Sequence, residues 1–316
     1  MRANNNQIGM IFIVIGMLIY SFHDLAVKMI ANETTIFQLF ITRAFVGVMV
    51  TLTCLKCLNY KFGLIPVYPK LTLIRCVLMH FGFFIFFISL EKLSLSTVTA
   101  LFFAAPFFIT ILSALVLSER IGLIRILILV LGFIGVFLIV KPFKESEFSF
   151  FMLAPLFTAF SYAVAMVISK YTKENENAFL QAFQQYSVSL LLSVITYIII
   201  LVFPLDFINT EEWRFIFGSI KIDDYYTFIS IAILSIFGTL GMTSLIHAYQ
   251  VGSPITNGPT EYVLLILAII NGYFFFGNIP DYLSLAGIIL IILGGWALFF
   301  REHKRNKIAG KNFGSL

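Results

Sequence analysis

The stretch GSPITNGPTEYVLL places one acidic side chain, Glu261, within an otherwise apolar segment. Pro254, Gly258 and Pro259 precede it closely, and because proline removes a backbone donor and glycine loosens a helix, we expect irregular backbone between Pro254 and Glu261. Such backbone is tolerated at membrane depth where it is buried in protein or lines a water-filled cavity. A carboxyl group there pairs with a distant cation such as Arg75, or binds a solute amine or a proton. Glu261 is therefore the strongest functional candidate, together with its neighbours Thr260 and Tyr262.

A second set of charges lies in IYSFHDLAVKMI and in the apolar segment that follows it. A central Asp or Lys costs about 2.5–3.5 kcal/mol at membrane depth, so its presence needs a reason. Asp24 and Lys28 are four residues apart and can touch on one helical face, while Arg43 falls at a similar depth on the next helix. Two interpretations of Asp24 and Arg43 stay open: a structural ion pair, or an outer gate or ligand contact. Lys28 is either part of this set or an interface anchor.

Other polar side chains have both a packing and a functional interpretation. His23 is a proton carrier or a packing residue, since an unperturbed histidine titrates near pH 6.5. His80, in VLMHFGFF, lines a cavity or packs, and Tyr162 and Tyr249 line a cavity or join helices. The phenylalanine-rich HFGFFIFF gives a hint of an aromatic-lined passage. Three glutamines are expected to form hydrogen bonds between helices: Gln181, Gln184 and Gln185.

The elements that position these residues follow from composition. Of the 316 residues, 60% are hydrophobic and only 12% are charged, about half the charged fraction of a soluble domain. The apolar runs are near the 20 residues that a membrane helix needs, and apolar and polar residues do not alternate as in a β-barrel. The sequence therefore predicts an all-α membrane protein. Ten spans are expected: 8–30, 35–56, 71–90, 94–117, 123–140, 149–170, 178–203, 227–248, 254–276 and 283–300.

The distribution of basic residues predicts the orientation. With both termini in the cytoplasm, about two thirds of the 21 lysine and arginine residues fall on the inner side, as the positive-inside rule requires. We therefore expect a multi-pass protein of the cell inner membrane, ending in a basic cytoplasmic tail at 304–316. The net charge of +5 is explained by this topology and by attraction to anionic lipid, rather than by nucleic-acid binding.

The second half of the chain repeats the first. The segment after Leu90 aligns with the segment after Tyr249 at one constant offset, which places Ser94 on Ser253 and Gly135 on Gly294. We expect one five-helix repeat at 1–145 and another at 146–303. Because five is odd, the second repeat enters the membrane from the opposite face. Inverted repeats around a central cavity are typical of alternating-access transporters.

These features together resemble the EamA-type family of the drug/metabolite transporter superfamily over nearly the full length. The resemblance is carried by SFHDLAVKMI with FQLFITRAF, by SLEKLSLSTVTALFFAAPFFITILSALVLSER, and by LAGIILIILGGWAL. Glu119 matches a glutamate common at the end of the family's fourth span, whereas the equivalent position of the ninth span is Asn278. The resemblance implies a secondary transporter of small organic solutes, and it favours a functional role for Asp24, Lys28 and Arg43.

The expected function is secondary-active transport of small polar organic metabolites, either proton-coupled or by exchange. The mixture of acidic and basic side chains suits an amino-acid-like, zwitterionic or carboxylate-bearing solute. An alternative is uptake of S-adenosylmethionine or a nucleoside-like solute. No phosphate-binding loop is present to use ATP, and no catalytic constellation supports a lipid-modifying enzyme. We expect no cofactor and no metal. The expected partners are the solute, the bilayer and a proton, with the protein a monomer or a homodimer.

Overall fold

The computed structural model describes residues 2–30, 34–59, 66–93, 98, 101–119, 121–140, 150–202, 225–277 and 281–313. Every regular element within these residues is helical, and a 3-10 turn at Phe150–Met152 precedes α6. The α-helices are α1 (Arg2–Ile30), α2 (Ile36–Cys57), α3 (Pro69–Lys92), α4 (Ala105–Val116), α5 (Leu123–Val140), α6 (Leu153–Tyr171), α7 (Ala178–Val202), α8 (Tyr225–Val251), α9 (Pro254–Thr260), α10 (Val263–Phe276) and α11 (Tyr282–Phe313).

Eight segments of the described chain are long and apolar enough to cross a membrane. The predicted class, a multi-pass helical membrane protein, is thus confirmed. At the fourth and fifth predicted spans the described residues form shorter apolar helices, Ala105–Val116 and Leu123–Ile139, so ten spans stay a prediction. Helix α11 continues through the basic tail to Phe313, because that stretch is rich in helix-forming residues and contains no proline.

The helices surround a central core that combines side chains of α1, α3, α4, α6, α7 and α8. The most extensive contacts join α1 to α8, α2 to α7, α3 to α6 and α5 to α11. Small residues allow these approaches, as in other membrane bundles. At Gly16, where α1 crosses α8, an added Cβ would lie 2.9 Å from Leu245 Cδ2 and 3.2 Å from the carbonyl oxygen of Gly241.

The ninth predicted span is broken at Glu261 and Tyr262, between α9 and α10. Pro259 has no N–H to donate to the carbonyl of Ile255, and the chain continues through tight turns in which Glu261 N donates to Gly258 O at 3.1 Å. The expected irregular backbone is therefore found only at the end of the predicted stretch, because Pro254–Thr260 itself is α-helical.

A second break precedes α4. Residues 101 and 102 are helical, Phe103 and Ala104 form a turn, and α4 then begins with Pro106 in its first turn. The two breaks lie together, since a Cβ added to Gly258 would be 3.4 Å from Pro106 Cα.

Candidate functional site

Glu261 lies at the centre of the site, with two tyrosines bonded to one of its oxygens. Oε1 accepts a hydrogen bond from Tyr162 Oη at 2.6 Å and another from Tyr249 Oη at 2.7 Å. Tyr162 comes from α6 and Tyr249 from α8, and both belong to the central core. Only 2% of the Glu261 surface is exposed. Three of the predicted site residues, from three different spans, therefore meet at a single carboxylate oxygen.

Helix packing and the break explain this meeting. The face of α6 that carries Tyr162 also carries Ala159, Ala163 and Met166, so small side chains bring α6 close to its neighbours. In the turn between α9 and α10, the consecutive side chains of Glu261 and Tyr262 point in different directions. Glu261 faces α6 and α8, whereas the ring of Tyr262 lies over Gly132 of α5, where an added Cβ would be 2.4 Å from it.

The Glu261 carboxyl has no basic partner in the part of the chain that the structure describes. No salt bridge to it occurs there, and neither does a hydrogen bond to its second oxygen, Oε2. An isolated charge in such surroundings costs several kcal/mol, so the group is stable when protonated or when a cation binds to it. Both tyrosine hydroxyls donate to Oε1, which leaves Oε2 for another partner. In the protonated carboxyl Oε2 carries the proton, and in the ionised carboxylate it faces the bound cation.

Arg75, the distant cation considered as a partner for Glu261, makes other contacts. Its Nη2 donates to Gln184 Oε1 at 2.7 Å and to Gln181 O at 3.2 Å, which joins α3 to α7. Gln185 Nε2 donates to a carbonyl oxygen of α3 at 3.2 Å. The predicted hydrogen bonding of the glutamines between helices is thus confirmed.

Two further predicted site residues lie in different surroundings. Thr260 Oγ1 donates to Thr256 O at 3.2 Å, a bond within α9. His80 Nδ1 is 2.9 Å from Ser189 Oγ of α7, and its ring is stacked on Phe84 with centroids 6.2 Å apart. The hydrogen bond between His80 and Ser189 joins α3 to α7. A role for Thr260 or His80 toward a solute stays a prediction.

The polar residues predicted in the first two spans, among them His23 and Arg43, lie apart from Glu261. A Cβ added to Gly238 of α8 would lie 3.2 Å from His23 Nε2 and 3.6 Å from Arg43 Nη2, so both side chains contact the same point. At 1.5 Å per residue, Gly238 is about 16 Å along α8 from Tyr249. The roles predicted for this set, including the pairing with Arg43, stay predictions. Two of its members have side chains outside those that the structure describes: Asp24 and Lys28.

Sequence reasoning omitted Tyr20 of α1 from the site. Tyr20 packs against the central core that contains Tyr162, and part of its surface stays accessible. The sequence did contain a signal for Tyr20, because its hydroxyl lies one helical turn before Asp24 in the same span.

Contacts at the end of α8 were also missed; those of Lys170 are to backbone groups, which leave no pattern in the sequence. Lys170 Nζ donates to the carbonyl oxygens of Gln250 at 2.9 Å and Gly252 at 2.6 Å, which caps α8 with a positive charge. Ser253 Oγ donates to Glu119 Oε2 at 2.5 Å. The loop into α9 is thus held by two neighbouring elements. Asn278, the counterpart of Glu119 in the other repeat, lies outside the described residues.

Comparisons with known proteins agree with this architecture. The EamA-like transporter family matches residues 7–141 and 149–300. The S-adenosylmethionine uptake transporter of Rickettsia prowazekii is 23% identical over 299 residues, which cover 94% of each chain. The pseudopaline exporter CntI of Pseudomonas aeruginosa is 25% identical over 226 residues, 72% of this chain and 73% of the exporter.

One solved crystal structure superimposes on this chain with a TM-score of 0.73. The match covers 92% of this chain and 96% of the other, at 16% sequence identity. This likeness shows a shared fold.

Proposed function

Because the chain belongs to the EamA-like transporter family, we propose that it is a secondary-active carrier of small polar metabolites with an amino-acid-like, zwitterionic or carboxylate-bearing structure. That it is a transporter rather than an enzyme follows from the family and from the names of its relatives. The proposed mechanism is alternating access, in which a solute site faces the two sides of the membrane in turn.

One observation carries the proposal: a buried carboxyl at a helix break, held by two phenols and without a basic partner among the described residues. The ammonium group of a solute supplies the missing positive charge at Glu261. A proton and an ammonium compete for the same carboxylate, so solute binding releases the proton. This competition couples the solute to protons, or one amine to another in exchange.

The proposed architecture is ten spans in two inverted repeats, 1–145 and 146–303, around a central cavity. The helix contacts support this architecture. In the proposed repeats α1 corresponds to α6 and α3 corresponds to α8, so the contact of α1 with α8 is equivalent to the contact of α6 with α3. The α2–α7 and α5–α11 pairs each join a span to its own counterpart. Partly accessible side chains that pack on the central core supply a lining for the cavity, among them Tyr20, Val48 and Leu267. Both termini are placed in the cytoplasm and the protein in the inner membrane.

A second candidate solute is S-adenosylmethionine or a nucleoside-like compound. The observation that favours it is the match over 94% of this chain to the S-adenosylmethionine uptake transporter of Rickettsia prowazekii. S-adenosylmethionine carries both a sulfonium and an ammonium charge, and Glu261 would neutralise either of them. The relatives named here include an uptake protein and an exporter, so their names support neither direction over the other.

The proposal is tested by uptake into proteoliposomes that contain only this protein. Labelled amino acids and labelled S-adenosylmethionine are compared for wild type and for Glu261→Gln, which keeps the size of the side chain but removes its charge. We expect uptake to fall at least about tenfold, a factor that corresponds to 1.4 kcal/mol of lost binding.

The matched control is Glu174→Gln, because Glu174 is 80% exposed and lies in the turn after α6. It should transport at the wild-type rate. Wild-type uptake by Glu261→Gln across several pH values would contradict the proposal.

A further inference from the structure

Three phenylalanines form a connected group beside the Glu261 site. Phe102, just before the first break, has ring centroids 6.1 Å from Phe83 and 5.6 Å from Phe86, both on α3. The ring of Phe102 is also 5.8 Å from that of Tyr162, whose hydroxyl bonds to Glu261. This aromatic trio, Phe83, Phe86 and Phe102, therefore begins one side chain away from the carboxylate.

Two members of the trio, Phe83 and Phe102, lie toward the interior of the bundle. On α3, Gly82 contacts Ser161 of α6, and Phe84 is directed toward Phe37 of α2. The face between these two contacts carries Phe83, and one turn earlier on the same face Met79 is buried in the central core. Phe83 and Phe102 pack against that core but keep accessible surface. Their accessible surface therefore lies beside the central core that contains Tyr162.

The repeat alignment relates this group to the carboxyl. The offset that places Ser94 on Ser253 also places Phe102 on Glu261, and Phe103 on Tyr262. The rings of Phe103 and Tyr262 are 5.8 Å apart, so the equivalent residues of the two breaks meet in the structure. One break thus supplies a charged group and the other an apolar ring.

The geometry points to an aromatic subsite, formed by Phe83, Phe86 and Phe102, that binds a planar ring of the solute whose cationic end lies at Glu261. This inference rests on the proposed function and narrows its solute class. The solute is an amine or zwitterion that carries an aromatic or heteroaromatic ring. Aromatic rings in contact prefer offset or edge-to-face packing, and the tilted rings of the trio present both edges and faces.

Two amines test the subsite, because ethylamine and phenethylamine share an ammonium group and differ by one ring. Dissociation constants are measured by calorimetry on the full chain in detergent. Wild type should bind phenethylamine at least about tenfold more tightly than ethylamine. Phe102→Leu, which keeps apolar volume but removes the ring, should abolish most of this preference. Phe84→Leu, the same replacement at a ring directed toward Phe37 of α2, should retain it.

The outcomes separate this inference from the proposed function. The subsite is overturned if wild type binds phenethylamine no more tightly than ethylamine, or if Phe102→Leu and Phe86→Leu both keep the full preference. Glu261→Gln should weaken both amines equally. If that variant changes neither amine while Phe102→Leu still removes the preference, the subsite stands and the proposed role of Glu261 fails.

Discussion

The two helix breaks of this protein have similar backbones and opposite chemistry. At the first break, Ala104 N donates to Leu101 O at 3.1 Å; at the second, Glu261 N donates to Gly258 O at the same distance. A proline stands close to each turn. The first break presents the ring of Phe102, and the second presents a buried carboxyl. The two turns thus share a backbone hydrogen-bond pattern, while the side chains that they carry differ in chemistry.

The largest effect is expected from the phenols that bond to the second break. Tyr162→Phe and Tyr249→Phe each remove one donor from Glu261 Oε1, and a hydrogen bond to a charged group contributes about 1.5–3 kcal/mol. Transport should fall about tenfold or more in each single variant. The double variant should fall further, as measured by initial rates in proteoliposomes.

The control for the phenols is Tyr186→Phe. Tyr186 is a buried tyrosine of the same core, and its hydroxyl makes only a 3.5 Å contact with Gly238 O. It should transport within about twofold of wild type, since a contact of this length contributes little. Equal losses in all three variants would show that the core needs its hydroxyl groups in general, and would remove the special position of Glu261.

An intermediate effect, on stability, is expected from a substitution at Gly132, where the second break packs against α5. In Gly132→Ala the added methyl would lie 2.4 Å from the Tyr262 ring, and overpacking of this kind typically costs 1–3 kcal/mol. The apparent Tm should therefore fall. Gly295→Ala is the matched control, because nothing lies within 4 Å of its added Cβ. If both variants unfold at the same temperature, the position of Tyr262 over Gly132 is wrong.

The smallest effect is expected at Thr260. Its hydroxyl bonds to Thr256 O within α9, so Thr260→Val removes a local bond and keeps the branched shape. Both transport and Tm should stay close to wild type, with a stability change of about 0.5 kcal/mol or less. A large loss of transport without a loss of stability would instead add Thr260 to the solute site.

The sequence predicted the second break but not the first. Gly258, Pro259 and Glu261 combine helix-breaking residues with a charge, and both signals are local. Around Phe102 the sequence contains only one residue that predicts a break, Pro106. No polar or charged side chain lies beside it. Recognition of this break depends on the contact with Gly258, which the fold creates.

The site itself was predicted as separate residues rather than as a group. Tyr162, Tyr249 and Glu261 were each candidates, but their meeting depends on which faces of α6 and α8 turn toward the break. Tyr262 shows the same limit, since it is adjacent to Glu261 in sequence and lies on the opposite side in space. Side-chain direction at a turn follows from tertiary packing, and a periodicity of 3.6 residues does not extend across a break.

The most direct test of the account measures ligand-induced stability in wild type and Glu261→Gln. Amine-bearing metabolites, including S-adenosylmethionine, are added to each purified protein and the apparent Tm is recorded. A ligand present at 100 times its Kd stabilises the folded state by about 2.7 kcal/mol. Compounds that raise the Tm of wild type should raise the Tm of Glu261→Gln at most about half as much, because a tenfold weaker Kd leaves about 1.4 kcal/mol of stabilisation. If they raise both by the same amount, the solute does not bind at this carboxylate, and the central claim is contradicted.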